Sequence, residues 1–446
     1  MSLMERVQKA SLIAGKDDVA YSDDTRTEEV HSYDRMKEKV QELLPPRLLG
    51  TLIERSPQQA KSEIRIACNR VIDAEPWIYS SKDREELICR YLDSVFGLGP
   101  LEVLLEDEDI TEIMVNGAHS LFYEKEGKLF ETESIFYSDA QVYALIDKII
   151  SPLGRRIDES SPMVNARLPE GHRVNVVIPP LALDGPTVTI RKFRNKIYTL
   201  DELLRMGSFD DPIKQMMIWA VKRRCNIAVS GGTGSGKTTL LNALSTHIPL
   251  SERIITIEDS AELKFDEHPH VVRMEARPQN AEGVGEITIK DLVINSLRMR
   301  PDRIVVGECR GAEAIDMLQA MNTGHDGSLT TLHANSPLEA ISRLTMMVRY
   351  GVELPVEVIE NQIATALDLV IQTARSTDGR RFVSELVGYT YDLNQRKCKI
   401  EPFYKWDFVR KQGVWVSYPD WIDDLVLLEI ANQEEVDLWK RAISLS

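Results

Sequence analysis

The amino-acid sequence predicts an α/β protein: a parallel sheet covered by helices on both faces, preceded by a small α+β domain. Three observations carry this prediction. Beyond Thr199, strand-like runs alternate with helical ones, the pattern of strands joined by crossover helices. Between about 81 and 198, short strand runs come in pairs around turn residues, beside two helical patterns. Within the region beyond Thr199, one apolar strand leads into a glycine-rich loop and then a helix. The 446 residues allow two to four domains, at about 100–200 residues each.

Taken in order, residues 1–80 are polar and charged, then weakly helical over 56–71, and are expected to form a flexible or helical extension. From Lys82 the pattern sharpens. Leu87, Ile88, Tyr91, Leu92 and Val95 recur at helical spacing. A strand is expected over 110–117. Runs at 121–123 and 128–130 flank the turn Lys125-Glu126-Gly127. Val142, Leu145, Ile146, Ile149 and Ile150 mark a second helix. A second hairpin joins 163–168 to 173–178 through Pro169-Glu170-Gly171, and 187–192 closes a domain spanning about 81–198. In the second domain, placed at about 199–393, strands are expected at 226–230, 253–257 and 302–306. Helices are expected at 237–247, 289–299 and 312–321. The remaining 394–446, with four of the six tryptophans and a helical stretch at 433–443, is expected to be a C-terminal extension.

Composition narrows the function. The 43% hydrophobic and 28% charged content is ordinary for folded domains. The net charge of −16 argues against a broad nucleic-acid-binding face, so no direct nucleic-acid partner is expected. The run Glu106-Asp107-Glu108-Asp109 suits a solvated turn. Five scattered cysteines without a CxxC pair point away from a zinc site or a disulfide framework and toward a reducing compartment. Cys309 is expected to be a small buried filler. The sequence has no apolar run of about 18 residues, and its N-terminus lacks a signal-peptide core. A cytoplasmic location is expected, with any membrane association through a partner or a surface.

The loop GGTGSGKT comprises Gly231, Gly232, Thr233, Gly234, Ser235, Gly236, Lys237 and Thr238, with Thr239 next in the helix. It matches GxxxxGK[ST], preceded by the strand NIAVS and followed by Leu240, Leu241 and Leu244 at helical spacing. Glycines let backbone N–H groups converge on phosphates, and the helix N-terminus adds unpaired donors and a favourable dipole. Lys237 is expected to meet the β and γ phosphates of ATP, and the Thr238 hydroxyl to ligate Mg²⁺.

Two further strands end in acids: RIITIED, giving Glu258 and Asp259, and DRIVVGE, giving Glu308. Ligands bind at the carboxyl edge of a parallel sheet, so Glu308 is the candidate to activate water, and Glu258 or Asp259 to hold magnesium through water. Many P-loop enzymes place Asp directly before the catalytic Glu. Here Gly307 stands there, which moves the metal-holding duty to the Glu258-Asp259 pair. Taken alone, each acid also fits a solvated strand end. His333 closes a third strand-like run and faces the same choice between a structural role and a place at the phosphates.

Four motifs in this order, IAVSGGTGSGKTTLLNAL, IITIEDSAEL, DRIVVGECRGAEA and TGHDGSLTTLHANSP, resemble the secretion ATPase superfamily, which drives type II secretion, type IV pili and type IV secretion. Segments such as ITEIMVNG and GRRIDESSPMVNARLPEGHRVNVVIPPLALDGPTVTIRKF are similar to the CpaF/TadA branch, motors of tight-adherence (Flp) pili. The resemblance covers about 85–390. It implies a RecA-like P-loop ATPase lobe behind a small N-terminal lobe, assembled as a homohexamer that works on an inner-membrane pilus platform protein from the cytoplasmic face. It implies Glu258 as the acidic-box residue, Glu308 as the catalytic glutamate, and His333 as the residue that senses the γ-phosphate. It also implies that arginines of the smaller lobe, among Arg156, Arg167, Arg173 and Arg191, reach the nucleotide, with Arg277 and Arg310 as second-rank candidates. Asn165 departs from the Asp found in many relatives, and Cys309 and Ala312 replace small apolar residues or Gly. The alternatives are a type IV secretion or conjugation ATPase, a nucleotide-gated scaffold with little turnover, and a nucleic-acid translocase.

Overall fold

A computed structural model describes residues 24–74, 81–125, 127–132, 136, 138–193, 197–279 and 284–444. The first 23 residues, Glu126 of the expected turn and residues 280–283 are among those outside them. The chain forms two compact units, Met1–Arg194 and Asn195–Ser446.

The first unit begins with helices Asp24–Leu43, Pro46–Arg55, Pro57–Ala74 and Ser81–Phe96. They bury Met36, Val40, Ile64, Cys68, Ile88 and Tyr91 against one another. Where the sequence suggested a flexible or helical extension, the described residues are helical, and residues 33–74 share a core with the helix from Ser81. The reason is that apolar residues spaced along several polar helices form a core only when the helices meet.

Six strands follow: β1 (Ile110–Asn116), β2 (Ser120–Lys125), β3 (Lys128–Thr132), β4 (Met163–Arg167), β5 (Arg173–Val177) and β6 (Thr187–Arg191). They form a wholly antiparallel sheet in the order β3-β2-β1-β6-β5-β4. Its inner face packs Ile113, Val115, Val174, Val188 and Ile190 against the helix Asp139–Ile150. Along β5 and β6 buried and open residues alternate, which leaves their other face to residues such as Arg173, Asn175, Thr189 and Arg191.

The second unit is built on β7 (Ile227–Gly231), β8 (Ile254–Glu258), β9 (Val271–Glu275), β10 (Arg303–Cys309), β11 (Leu329–Leu332), β12 (Leu369–Arg375), β13 (Arg381–Asp392), β14 (Lys397–Asp407) and β15 (Gln412–Trp415). The nine-stranded order is β15-β14-β13-β12-β7-β11-β10-β8-β9. The six strands from β12 to β9 run parallel, and β13, β14 and β15 extend the sheet antiparallel. β7, β8 and β11 are buried at every position, as strands covered on both faces must be. One core includes the helices Asp211–Lys222 and Lys237–Ser245, and the other the helices Glu313–Asn322 and Pro337–Gly351.

The sheet does not stop near 393. β14 pairs with β13 along most of its length, and Trp415 and Trp439 meet edge to face in the first core. Three of the tryptophans in 394–446, Trp415, Trp421 and Trp439, thus pack with the first core of the sheet, where Trp439 also meets Trp219. Arg303, wholly buried at the start of β10, pairs with Glu252 and donates to the carbonyls of Val221 and Gly327 (2.8 and 3.2 Å). A buried charge this well partnered fixes the amino-terminal edge of the strand that carries Glu308.

Candidate nucleotide site

The loop follows β7 at the centre of the parallel strands. Gly234 and Gly236 have φ of +71° and +97°, a region that side chains rarely adopt, so the chain turns onto the helix Lys237–Ser245 only with glycine there. At Gly231 a Cβ would lie 2.3 Å from Thr373 Oγ1 and 2.5 Å from Ser235 Oγ. Those hydroxyls bond each other at 2.8 Å, and Ser235 also donates to the Gly232 carbonyl at 2.8 Å. Thr233 and Gly234 are open to solvent, and Thr238 and Thr239 are half-buried on the first helical turn.

Lys237 is buried. Its ammonium donates to the Gly232 carbonyl at 3.0 Å and lies 3.3 Å from His333 Nε2. Burial lowers its pKa, and the Glu308 carboxylate pulls against that shift. His333, just past β11, has its pKa lowered by burial and then by the Lys237 charge, so near pH 7 it is the neutral imidazole that faces the lysine. Its Nε2 is 2.9 Å from Glu308 Oε1, but that oxygen is buried with no well-aligned donor. Proximity is met there and hydrogen-bond direction is not, so the contact is not a hydrogen bond. Glu308 Oε2 is held by Arg310.

Glu258, at the end of β8, is buried. Oε1 accepts from the backbone N–H groups of Glu262 (2.7 Å) and Leu263 (2.8 Å), while Oε2 is buried without a partner. Desolvation raises its pKa to about 7 against the two hydrogen bonds. Its Cγ lies 2.8 Å from where a Cβ on Gly307 would stand. Glu258 therefore fills the space that an aspartate before Glu308 would need, which explains the glycine there. Asp259 is exposed. The thiol of Cys309 is wholly buried, and burial pushes its pKa well up.

Lys237, His333, Glu308 and Glu258 stand at the carboxyl ends of β7, β11, β10 and β8, four neighbours in the sheet. The topology thus gathers residues spread over nearly 100 positions of sequence. Arg310 joins them through Glu308. Arg277 does not: it donates to the Gly285 carbonyl at 2.7 Å and bridges to Ile287.

In the first unit, Arg167 pairs with Arg173 and Arg173 with Arg191 across β4, β5 and β6, with Glu112 of β1 next to Arg191. Directly paired residues face one side of a sheet, so these three arginines form one row on the outer face. Arg191 lies 3.6 Å from Glu112, and Arg167 donates to the Gly171 carbonyl at 3.3 Å. Arg156 stands apart, paired with the buried Asp158. Asn165 accepts from Asn175 at 3.0 Å.

Sequence reasoning did not single out Thr373 and Arg381, which touch the loop from β12 and β13: Arg381 Nε donates to the Gly234 carbonyl at 2.9 Å. Only the strand order brings them there.

Fold and site define a P-loop nucleotide-binding unit of RecA-like architecture behind a small α+β unit. The family described as Type II/IV secretion system protein matches residues 95–395, and the chain belongs to that family. A putative conjugal transfer protein of Mycobacterium tuberculosis is 37% identical over 316 residues, 70% of this chain and 88% of that protein. The type IV secretion system protein PtlH of Bordetella pertussis is 34% identical over 308 residues, 63% of this chain and 90% of its own. The crystal structure of the VirB11 ATPase from the Brucella suis type IV secretion system, in complex with sulphate, is 30% identical, with a TM-score of 0.36 over 68% of this chain and 99% of that one.

Proposed function

We propose that this chain hydrolyses ATP to power a type IV secretion or conjugation machine. The observation that carries the chemistry is the meeting of Lys237, His333, Glu308 and Glu258 at one sheet edge around the phosphate loop. In this reading Gly231 to Thr239 cradle the phosphates, Lys237 neutralises them, Glu308 takes a proton from the attacking water, and neutral His333 orients the γ-phosphate end. Arg310 must leave Glu308 for that carboxylate to act as a base.

The unpartnered Oε2 of Glu258 and the Thr238 hydroxyl on the first helical turn suit a magnesium ion held directly by Thr238 and through water by Glu258. Such an ion would offset charge on the phosphate oxygens. The arginine row would supply the remaining cations to a nucleotide held by a neighbouring copy in a hexameric ring.

The sequence alone favoured the motor of a tight-adherence pilus. The conjugal transfer and type IV secretion names of the relatives favour the alternative, and the pilus motor becomes the second reading, resting on the segments quoted above. Among the described residues no helix is long and apolar enough to cross a membrane. In this reading the motor acts at the cytoplasmic face through a membrane-embedded partner.

Magnesium-dependent phosphate release by the purified chain tests the enzyme. Nucleotide binding without release would leave the scaffold reading instead. Deleting the gene and scoring conjugation against pilus display separates the two biological roles.

A further inference from the structure

Gln372 breaks the pattern of the sheet face on which it stands. On that face Val370, Ala228, Leu332 and Ala334 turn to the core shared with the helices Glu313–Asn322 and Pro337–Gly351. In register, Gln372 of β12 lies beside Ser230 of β7, which lies beside Leu332 of β11. An amide only 3% exposed thus sits in an apolar layer. Half of it is satisfied. Its Nε2 donates to the Ala334 carbonyl at 3.0 Å, while Oε1 is buried with no hydrogen-bond partner among the described residues. The carbonyl can only accept, so it is the NH₂ end of the amide that faces it. An unpaired buried polar atom costs stability, so an apolar side chain would serve the core better. What the amide supplies instead is a grip on the carbonyl one residue past His333.

This step of β12 is marked in two further ways. Gln372 pairs with Glu385 and Thr373 with Val383, so Ser384 of β13 is an extra, bulged residue, and its hydroxyl donates to the Gln372 carbonyl at 3.3 Å. Bulges beside functional sites re-aim side chains. The adjacent Thr373, turned to the opposite face, holds the phosphate loop through Ser235 and the Ser230 carbonyl (2.8 and 3.0 Å). Two consecutive residues of one strand therefore tie down the phosphate loop and the segment that follows His333. The far end of that segment is pinned as well, by the buried Tyr389 hydroxyl donating to the Pro337 carbonyl at 2.6 Å.

We propose that Gln372 is a positioning residue for the reaction: by holding the Ala334 carbonyl it sets the His333 imidazole between Lys237 and Glu308. The inference deepens the ATPase reading and rests on it for the role of His333. The geometry calls for such a restraint. His333 comes after Leu332, the last residue that the β11 ladders fix, and its ring is half-buried. Yet that ring stands 3.3 Å from the Lys237 ammonium and 2.9 Å from the Glu308 carboxylate. A misplacement of about 1 Å at a reacting group can cost up to about 100-fold in rate, and loosening one of the ties on this segment should cost part of that.

Gln372→Met tests this in the full chain, since it keeps the length and removes the donor and the unpartnered acceptor together. It should lower kcat for Mg-ATP about tenfold and leave KM within about twofold, because Thr373 still holds the phosphate loop. The His333 ring resonance, assigned by its loss in His333→Ala, should shift in the nucleotide-free variant, a readout that needs no turnover. In the His333→Ala background the same change should cost less than about twofold, because the group it positions is gone. Tyr389→Phe, which keeps the ring and removes only the hydroxyl at the far end of the segment, should shift the resonance less, and it is the gentler probe of the same segment if the core change impairs folding. An unmoved His333 resonance in Gln372→Met, a larger movement in Tyr389→Phe, or the full tenfold loss in the His333→Ala background would overturn the role of Gln372. A resonance that moves while kcat holds in both Gln372→Met and His333→Ala would instead overturn the role of His333 at the γ-phosphate, and show that Gln372 places a ring the reaction does not use.

Discussion

The two units hold their candidate functional charges in opposite ways. At the sheet edge of the second unit, Lys237 and Glu258 are buried, and Lys237, His333, Glu308 and Arg310 lean on one another. On the outer face of the first unit, three arginines stand in register across β4, β5 and β6, more open to water and met by local partners such as Glu112 and the Gly171 carbonyl. Desolvation makes the first set strongly coupled, so any change there alters binding, pKa values and stability together. The second set keeps its hydration until a ligand displaces it. Changing it should affect the reaction and leave the resting fold alone.

The sharpest way to break this comparison is Glu308→Gln. The amide keeps the volume and loses the base, and general-base catalysis is typically worth about 10²–10⁴ in rate. We expect turnover to fall about 10³-fold with Mg-ATP binding retained. Phosphate release within threefold of wild type would remove Glu308 from the chemistry.

Lys237→Ala comes next and acts on binding. Losing one charge-assisted phosphate contact costs about 3 kcal/mol, or about 100-fold in affinity. It also takes away the charge that depresses the His333 pKa, so the imidazole should titrate at higher pH in the variant. An unchanged ATP-dependent thermal shift and an unmoved His333 resonance would show that the pocket is not coupled as its geometry suggests.

Glu258, Glu308 and His333 were legible in the sequence because each stands at the end of an apolar strand, and Lys237 because it ends the glycine-rich loop that follows one; parallel strands deliver their ends to one edge. The hairpin positions of the first unit were legible too, since Lys125 and Gly127, and Pro169 and Gly171, mark turns between alternating runs. What stayed hidden depends on register and strand order. The row Arg167–Arg173–Arg191 follows from pairing that no local pattern specifies, and Arg381 lies 147 residues from the carbonyl it bonds. The reach of the sheet past 393 was hidden because the long antiparallel strands β13 and β14 carry lysines, glutamates and a proline among their apolar residues, which blurs the strand signal. The glycine at 307 was visible as a departure from other P-loop enzymes, but its cause, the Glu258 side chain beside it, was not.

The third test uses Glu258 in the metal-free, nucleotide-free protein. Its carboxyl titrates at about 7 in the folded chain against an ordinary value of 4.5, because burial disfavours the charge. Between those pH values the folded state binds a proton that the unfolded state has released. This group's contribution to stability is therefore complete below about pH 4.5, declines as pH rises to about 7, and is level above. The decline is on the order of 3 kcal/mol. Glu258→Gln should flatten that part of the profile and be relatively more stable at pH 8 than at pH 5. Parallel melting-temperature profiles for the variant and wild type would show that the buried carboxyl is not what the fold pays for.

The smallest expected effect belongs to the arginine row, and it decides whether the two regions work on one reaction. Developing charge in phosphoryl transfer lies on the γ-phosphate oxygens, and a guanidinium meets them with a two-pronged fork that an ammonium lacks. Arg→Lys keeps the charge and removes the fork. Because Arg167, Arg173 and Arg191 stand side by side, they can share the duty, so each change should cost less than the loss of Glu308. We expect at least one of them to lower turnover about tenfold, or about 1.4 kcal/mol in barrier, with the melting temperature unchanged. Arg156, outside the row and tied to the buried Asp158, should instead lose more stability than rate when changed to Lys. If the row serves a neighbouring copy, a Glu308→Gln chain and a chain lacking the sensitive arginine, each inactive alone, should regain phosphate release when mixed. Some interfaces would then join an intact glutamate to an intact arginine. Silent Arg→Lys variants at all three of its positions would leave the row a surface feature. Demonstrated mixing of subunits with no recovered activity at any ratio would return the arginine to its own chain, or mean that every site in the ring must be intact.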